Sequence, residues 1–360
     1  MYEINASEFE IEIYDTNDTY EGDYPDESCQ KANVLQFRAT VTPIVFTIVV
    51  LFSCVGNALV LWVLVKYENL KSLTNTFLLN LALSDLIFTF GLPFWAYYYM
   101  YGWTFGDVAC KAVNFVFYTG YYSSLIFVTV LTVHRYVAVV HPMSVLLTRK
   151  SLHCYVASVV IWVCSLGVAF PYSHFQRVSD PGDEMNDEIY STDNIKDVFQ
   201  QCEFDQQINW KLTGTYLQNV FFISAFIVIS FCYAEILWRL HRPTSHTRAK
   251  TVWLILCIVV FFFLGWGPYN VAIFLDSLIS WGISPFNDCD VSTSIDYMMH
   301  ISRMVAFSHC CLNPLFYVFM GIKFRNHLKK MLWTVCKKGR EPQNRHSRLI
   351  YSNGEEISMY

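Results

Sequence analysis

Apolar residues in this chain do not recur at amphipathic spacing; they run together in seven stretches separated by more polar segments. The stretches are 42–66, 73–100, 107–139, 152–173, 212–238, 251–281 and 294–320. Each is long enough to cross about 30 Å of hydrocarbon, which takes about 20 helical residues. A helix apolar on every side belongs in a large core or in lipid. With 54% of 360 residues hydrophobic and 15% charged, a soluble core would have no use for so much apolar surface. The pattern predicts an all-α integral membrane protein, a seven-transmembrane helix bundle. The third stretch is interrupted by Asn114 and a run of Tyr, Thr and Ser, which predicts a polar inner face. The first forty residues are acidic and lack the apolar region of a signal peptide, so the first span is expected to act as its own insertion signal.

Charge gives the orientation. One alternate set of connections carries Lys66 and Lys71, then Arg149 and Lys150, then Arg239, Arg242, Arg248 and Lys250, and the C-terminal segment adds seven more cations from Lys323 to Arg340. The other set is acidic: residues 1–30 hold ten Asp or Glu and no Lys or Arg, and 180–205 hold nine acids against Lys196. Cations mark the cytoplasmic side. The N-terminus is therefore expected outside and the C-terminus inside, in a multi-pass protein of the plasma membrane. The formal net charge of −5 conceals this separation. Clustered external carboxylates suit a cationic partner, whose encounter they accelerate. A solvated, disordered tail is the plainer reading of 1–40, and the two are compatible.

Four of the twelve cysteines, Cys29, Cys110, Cys202 and Cys289, fall outside by this topology. Two bridges among four cysteines allow three pairings. Cys110–Cys202 is expected, which would pin the acidic loop over the bundle mouth, and Cys29–Cys289, which would tie the tail to the last helix. Asn5 and Asn17 head glycosylation sequons, and Tyr14, Tyr20 and Tyr24 sit among acids in a setting that suits sulfation. Cys336, beside Lys337, is a weak candidate for palmitoylation.

Ionisable and amide side chains inside spans are costly unless paired or hydrated. Asp85 in "LNLALSDLIF", Asn57, Ser124 and Asn313 lie at comparable depth, an oxygen-rich set that could hold an allosteric Na⁺ or form a helix–helix network without an ion. Pro93, Pro268 and Pro314 permit kinks, and Trp266 in "GWGPYN" is a bulky lever at one of them. No nucleophile elbow, metal-spaced histidine pair or phosphate loop is present, so neither an enzyme nor a resident cofactor is expected, and no nucleic-acid partner.

Seven spans with "GNALV", "LALSDL", Trp103, the Cys110–Cys202 spacing, "HRYVAVV", "GWGP" and "NPLFY" together resemble the rhodopsin-like G-protein-coupled receptors over residues 40–335. The acidic tyrosine-bearing tail, Cys29 with Cys289, and "FSHCCLNPLFYVFMGIKFR" resemble the chemokine receptors, and "LVLWVLVKYENLKSLTN", "HRY", "FCYAEIL" and "WGPYN" are most similar to the XC class. The resemblance implies a basic XC-class (lymphotactin-like) chemokine whose body docks on the acidic tail. Its N-terminus would enter among Trp95, Tyr98, Phe117, Tyr118, Asp276 and Arg303. Signal would pass through Trp266 and Pro268 to Tyr233, His134, Arg135, Tyr136, Asn313, Pro314 and Tyr317, opening a crevice for an inhibitory-class G protein and arrestin, with chemotaxis and calcium mobilisation as the response.

The chain departs from the family pattern at several positions. Arg303 stands where a glutamate is usual and would repel a basic ligand terminus, hold a ligand carboxylate, or pair with an acid such as Asp296. Gly91 replaces the usual threonine before Pro93, Gly265 stands where a cysteine is common, and no proline occurs near Ala225. His134 replaces the acid that would pair with Arg135, which implies a resting clamp weaker by about 1–2 kcal/mol and compensation elsewhere. An atypical scavenging receptor without G-protein coupling is the nearer alternative; a transporter is the remote one, lacking the internal repeats it should show. The expected organisation is a tail over 1–40, the bundle over 41–320, a basic membrane-surface helix over 321–337 resting on inner-leaflet lipids, and a disordered segment over 338–360.

Overall fold

A computed structural model describes residues 32–70, 72–141, 151–179, 200–204, 210–240 and 246–320, with Asn326 and Lys329. The elements are α1 (Ala32–Tyr67), α2 (Leu73–Tyr101), α3 (Gly106–Val140), α4 (Ser151–His174), β1 (Gln176–Ser179), β2 (Gln201–Phe204), α5 (Trp210–Leu240), α6 (His246–Ser280), α7 (Cys289–Phe307) and α8 (His309–Met320). Six helices among the described residues are long and apolar enough to cross a membrane, and α7 with α8 makes the seventh span of the bundle. The first helix begins at Ala32, ten residues before the apolar run and inside the stretch expected as tail. Hydropathy measures the thickness of lipid a helix crosses, whereas Asn33, Gln36, Arg38 and Thr40 continue the same helix above it.

The bundle keeps its polar side chains inside, among apolar ones, and presents apolar side chains outward. Leu51, Phe52 and Val55 are 62%, 63% and 72% exposed, whereas Asn57, Asp85, Asn114 and Ser124 are fully buried. That inversion puts the polar groups where they can bond between helices and leaves lipid to solvate the outer surface. Helix α3 is the axis, packed against α2, α4, α5, α6 and β1. A core around Trp103, Tyr121, Phe88 and Trp266, in the half nearer β1 and β2 and expected to be the outer one, and a core around Val63, Leu81, Leu131 and Ile236, in the half expected to be the inner one, fill the bundle.

Helices α2 and α3 meet through a tight corner. Gly102 and Gly106 take left-handed φ of 74° and 78°, which glycine adopts without strain. The Trp103 indole N–H closes the corner on the Gly106 carbonyl at 2.9 Å. Deeper in, Gly120 passes Phe88 so closely that a Cβ would lie 2.5 Å from its backbone nitrogen.

The expected span 294–320 is not one continuous helix. It breaks at Ser308, between α7 and α8, six residues before Pro314. Proline has no N–H and frees the carbonyl four residues earlier, here Cys310. The Asn57 side chain takes up that carbonyl at 2.8 Å, and Ser53 reaches it at 3.4 Å. A neighbouring helix thus satisfies the broken turn.

Candidate functional site

The outer end of the bundle holds a cavity of about 690 Å³. The antiparallel hairpin β1–β2 lies over it, and the Cys110–Cys202 disulfide fastens the hairpin to the start of α3 with Cα atoms 5.8 Å apart. Two further bonds hold this lid: the Trp103 N–H donates to the Gln200 carbonyl at 2.8 Å and the Val178 N–H to Asp107 at 3.3 Å. Cys289 is also disulfide-bonded. Its expected partner Cys29 lies outside the described residues, as do Tyr14, Tyr20, Tyr24, Asn5, Asn17 and Cys336.

Of the residues expected to receive a ligand, Trp95, Tyr98, Tyr118, Asp276 and Arg303 line this cavity. Phe117 does not. It is buried below, 4.4 Å from the Phe88 ring and 4.9 Å from Phe307. Gly91 explains the difference: a Cβ there would stand 3.2 Å from the Phe117 ring, so the bare glycine lets α2 close over it. Arg38, Tyr99, Glu203, Lys211 and His300 also line the cavity and were not picked out from the sequence. Asp276 pairs with Lys211 at 3.1 Å. Asp296 does not pair with Arg303; the guanidinium instead donates to the Tyr99 hydroxyl and to the Met299 sulfur.

Below the cavity Trp266 is buried against Tyr121 at 4.2 Å, His309 at 5.4 Å and Phe307 at 5.8 Å. Pro268 lies half a turn above it within α6. Beneath this layer Asp85 accepts hydrogen bonds from Ser124 at 3.2 Å and Asn313 at 2.7 Å. His309, unremarked in the sequence, brings Nε2 to 3.8 Å from the same carboxylate while Nδ1 lies 2.8 Å from the Ala306 carbonyl. Asn57 is not among the Asp85 partners; it is committed to Ser53 and the Cys310 carbonyl. Carboxylate oxygens keep spare lone pairs after one hydrogen bond each, so Asp85 with the Ser124 hydroxyl fits a small hard cation.

At the inner end Arg135 donates to the Thr74 hydroxyl at 3.0 Å, across from the first turn of α2. Its Nε and the His134 Nδ1 are buried without a partner among the described residues. Tyr136 packs on Phe231 at 5.9 Å, and Tyr233 is buried in the inner core. Pro314 and Asn313 are buried in α8; Tyr317 belongs to the same helix, with its side chain outside the described residues. The expected surface helix 321–337 is described only at Asn326 and Lys329, both helical and exposed.

A sequence model described as "7 transmembrane receptor (rhodopsin family)" matches residues 56–317. The chain is 43% identical over 297 residues to chemokine XC receptor 1 of Homo sapiens, covering 82% of each chain. It is 40% identical over 309 residues to chemokine XC receptor 1 of Mus musculus, covering 85% of this chain and 88% of the relative. C-C chemokine receptor type 8 of Homo sapiens is 32% identical over 330 residues, with 91% and 89% covered.

Proposed function

The chain belongs to the rhodopsin family of seven-transmembrane receptors and within it to the chemokine receptors, and from that premise we propose that it binds an XC-class chemokine and activates an inhibitory-class heterotrimeric G protein. It is a multi-pass plasma-membrane receptor and not an enzyme, and membership of the family sets the transporter reading aside. The observation that carries the ligand class is the identity of 43% and 40% to two XC receptors against 32% to a C-C receptor over similar coverage.

In this reading the N-terminus is outside, and its acids, with any sulfated Tyr14, Tyr20 and Tyr24 and glycans on Asn5 and Asn17, face the ligand's basic body. The ligand's leading segment descends beside the hairpin lid to Trp95, Tyr98, Tyr118, Asp276 and Arg303. Pressure on the Tyr121–Trp266 contact moves α6 about Pro268, the lever a proline kink permits. The move is felt at Asp85 through His309, which touches both Trp266 and the carboxylate. Asp85 and Ser124 would hold a Na⁺ bound in the resting state. Arg135 then leaves Thr74 and meets the G protein, with arrestin using the same crevice, and the cations from Lys323 to Arg340 suit contact with inner-leaflet lipids.

Competition binding on intact cells tests the ligand class. An XC-class chemokine should displace a labelled XC-class tracer and a C-C chemokine should not; the reverse order would overturn the assignment. A scavenging receptor is the second reading, favoured only by His134, which supplies no countercharge to Arg135.

A further inference from the structure

The floor of the outer pocket carries a positive charge that no carboxylate among the described residues pairs with. Arg303 reaches it from α7. Its guanidinium donates to the Tyr99 hydroxyl and, at 3.4 Å, to the Met299 sulfur. Its carbon stands 5.9 Å from the centre of the Tyr99 ring and 5.7 Å from that of Tyr269. Every one of these partners is neutral. Among the described residues no carboxylate comes within the 4.0 Å of an ion pair.

Two more groups stand at the same place. The Arg38 guanidinium, from α1, is 5.7 Å from the same Tyr99 ring. The His300 ring meets Tyr99 edge-on at 6.0 Å, is only 8% exposed, and its Nδ1 has no hydrogen-bond partner among the described residues. All three line the cavity. The pocket's acids are elsewhere: Asp276 is held by Lys211 at 3.1 Å, Glu203 is on the hairpin lid, and Asp296 has an interaction of its own. Charge in the pocket is therefore uneven: Asp276, paired with Lys211, and Glu203 lie on the side of α5, α6 and the lid, whereas Arg38, His300 and Arg303 gather around Tyr99 from α1 and α7, with Asp296 two turns from Arg303 on α7.

A lone buried cation is costly, and tyrosine oxygens and rings offset that cost only in part. A planar guanidinium with free N–H groups is built to take a carboxylate in two parallel hydrogen bonds. We infer that Arg303, flanked by Arg38 and His300, is a carboxylate subsite that receives an Asp or Glu side chain from the ligand's inserted segment. The inference rests on the reading that a chemokine N-terminus enters this pocket. Recognition here is of a side-chain acid.

The test pairs a purified XC-class chemokine with the full-length receptor in cell membranes. Each Asp and Glu ahead of the probe's first cysteine is changed, one at a time, to the amide, and potency is read on the unmodified receptor and on Arg303→Gln. One amide variant should lose tenfold to a hundredfold on the unmodified receptor and nothing further on Arg303→Gln, whose own loss should match. Arg303→Lys, which keeps the charge, should recover part of the potency. Equal potency across the amide series on the unmodified receptor would overturn the subsite even if Arg303→Gln failed to reach the surface. So would equal factors lost on both receptors. A potency that follows chloride replacement by gluconate and ignores the amides would assign the site to a free anion and overturn the proposal. Failure of the unmodified probe to bind the unmodified receptor would instead overturn the ligand reading, and this subsite with it.

Discussion

Arg135 has no acid next to it in the chain, and among the described residues what holds it is a hydroxyl sixty-one residues earlier, Thr74. Replacing Thr74 by Val keeps the volume and removes the acceptor. A hydrogen bond to a charged group is worth about 1.5–3 kcal/mol, so basal nucleotide exchange should rise several-fold in Thr74→Val. Restoring a countercharge with His134→Asp should lower it. Equal basal rates in all three proteins would show that Arg135 is held by something else. Asn57 makes a structural contribution of similar size, since it occupies the carbonyl that Pro314 frees. Asn57→Ala should lower stability by about 1–3 kcal/mol, the cost of an orphaned buried acceptor, measured as a lower thermal midpoint in detergent. Asp85 was legible in the sequence because a carboxylate in an apolar run is anomalous. Thr74 and His309 were not, because neither residue is unusual where it stands and the pairing that gives each a role spans the bundle.

Among the elements, the first six spans follow from apolar run length, and the largest differences from the observed helices, before residue 42 in α1 and over 246–250 in α6, are polar turns that extend beyond the apolar run. The division of the seventh into α7 and α8 was not legible, because Pro314 marks a kink and the break itself sits six residues earlier at Ser308. The hairpin β1–β2 was hidden too: its strands are four residues long, too short for the alternation in Gln201–Phe204 to stand out, and the Cys110–Cys202 bridge that fastens the hairpin joins residues 92 apart. Element packing gives a sharp contrast between two glycines. A Cβ on Gly120 would meet the Phe88 backbone at 2.5 Å, whereas one on Gly167 meets nothing within 4 Å. Overpacking typically costs about 1–3 kcal/mol, so Gly120→Ala should lower the thermal midpoint and surface level while Gly167→Ala leaves both unchanged. Equal tolerance would mean that α2 and α3 are not in close contact.

At the scale of the whole molecule, the uneven charge is the feature most legible in the sequence and the one that concerns encounter with a partner. Residues 1–30 present ten acids and no cation on the side proposed to face the ligand. Attraction between separated charges is screened over about 8–10 Å at physiological salt, so association of a basic chemokine should slow several-fold as salt is raised while its dissociation changes little, read by surface binding kinetics. The placing of pocket charge around Arg303 and Asp276 was only half legible, since both residues stood out but Lys211 and Arg38, which help set their environment, come from other elements, and His300 on α7 is an ordinary residue in the sequence. The central claim is that ligand in the outer pocket drives G-protein activation through Trp266 and Arg135. Its most direct measurement is nucleotide exchange on an inhibitory-class G protein in membranes carrying this chain, with and without a purified XC-class chemokine. The account predicts ligand-dependent exchange, abolished by an inhibitor of that G-protein class. Saturable binding and uptake with no exchange would contradict it and identify a scavenger.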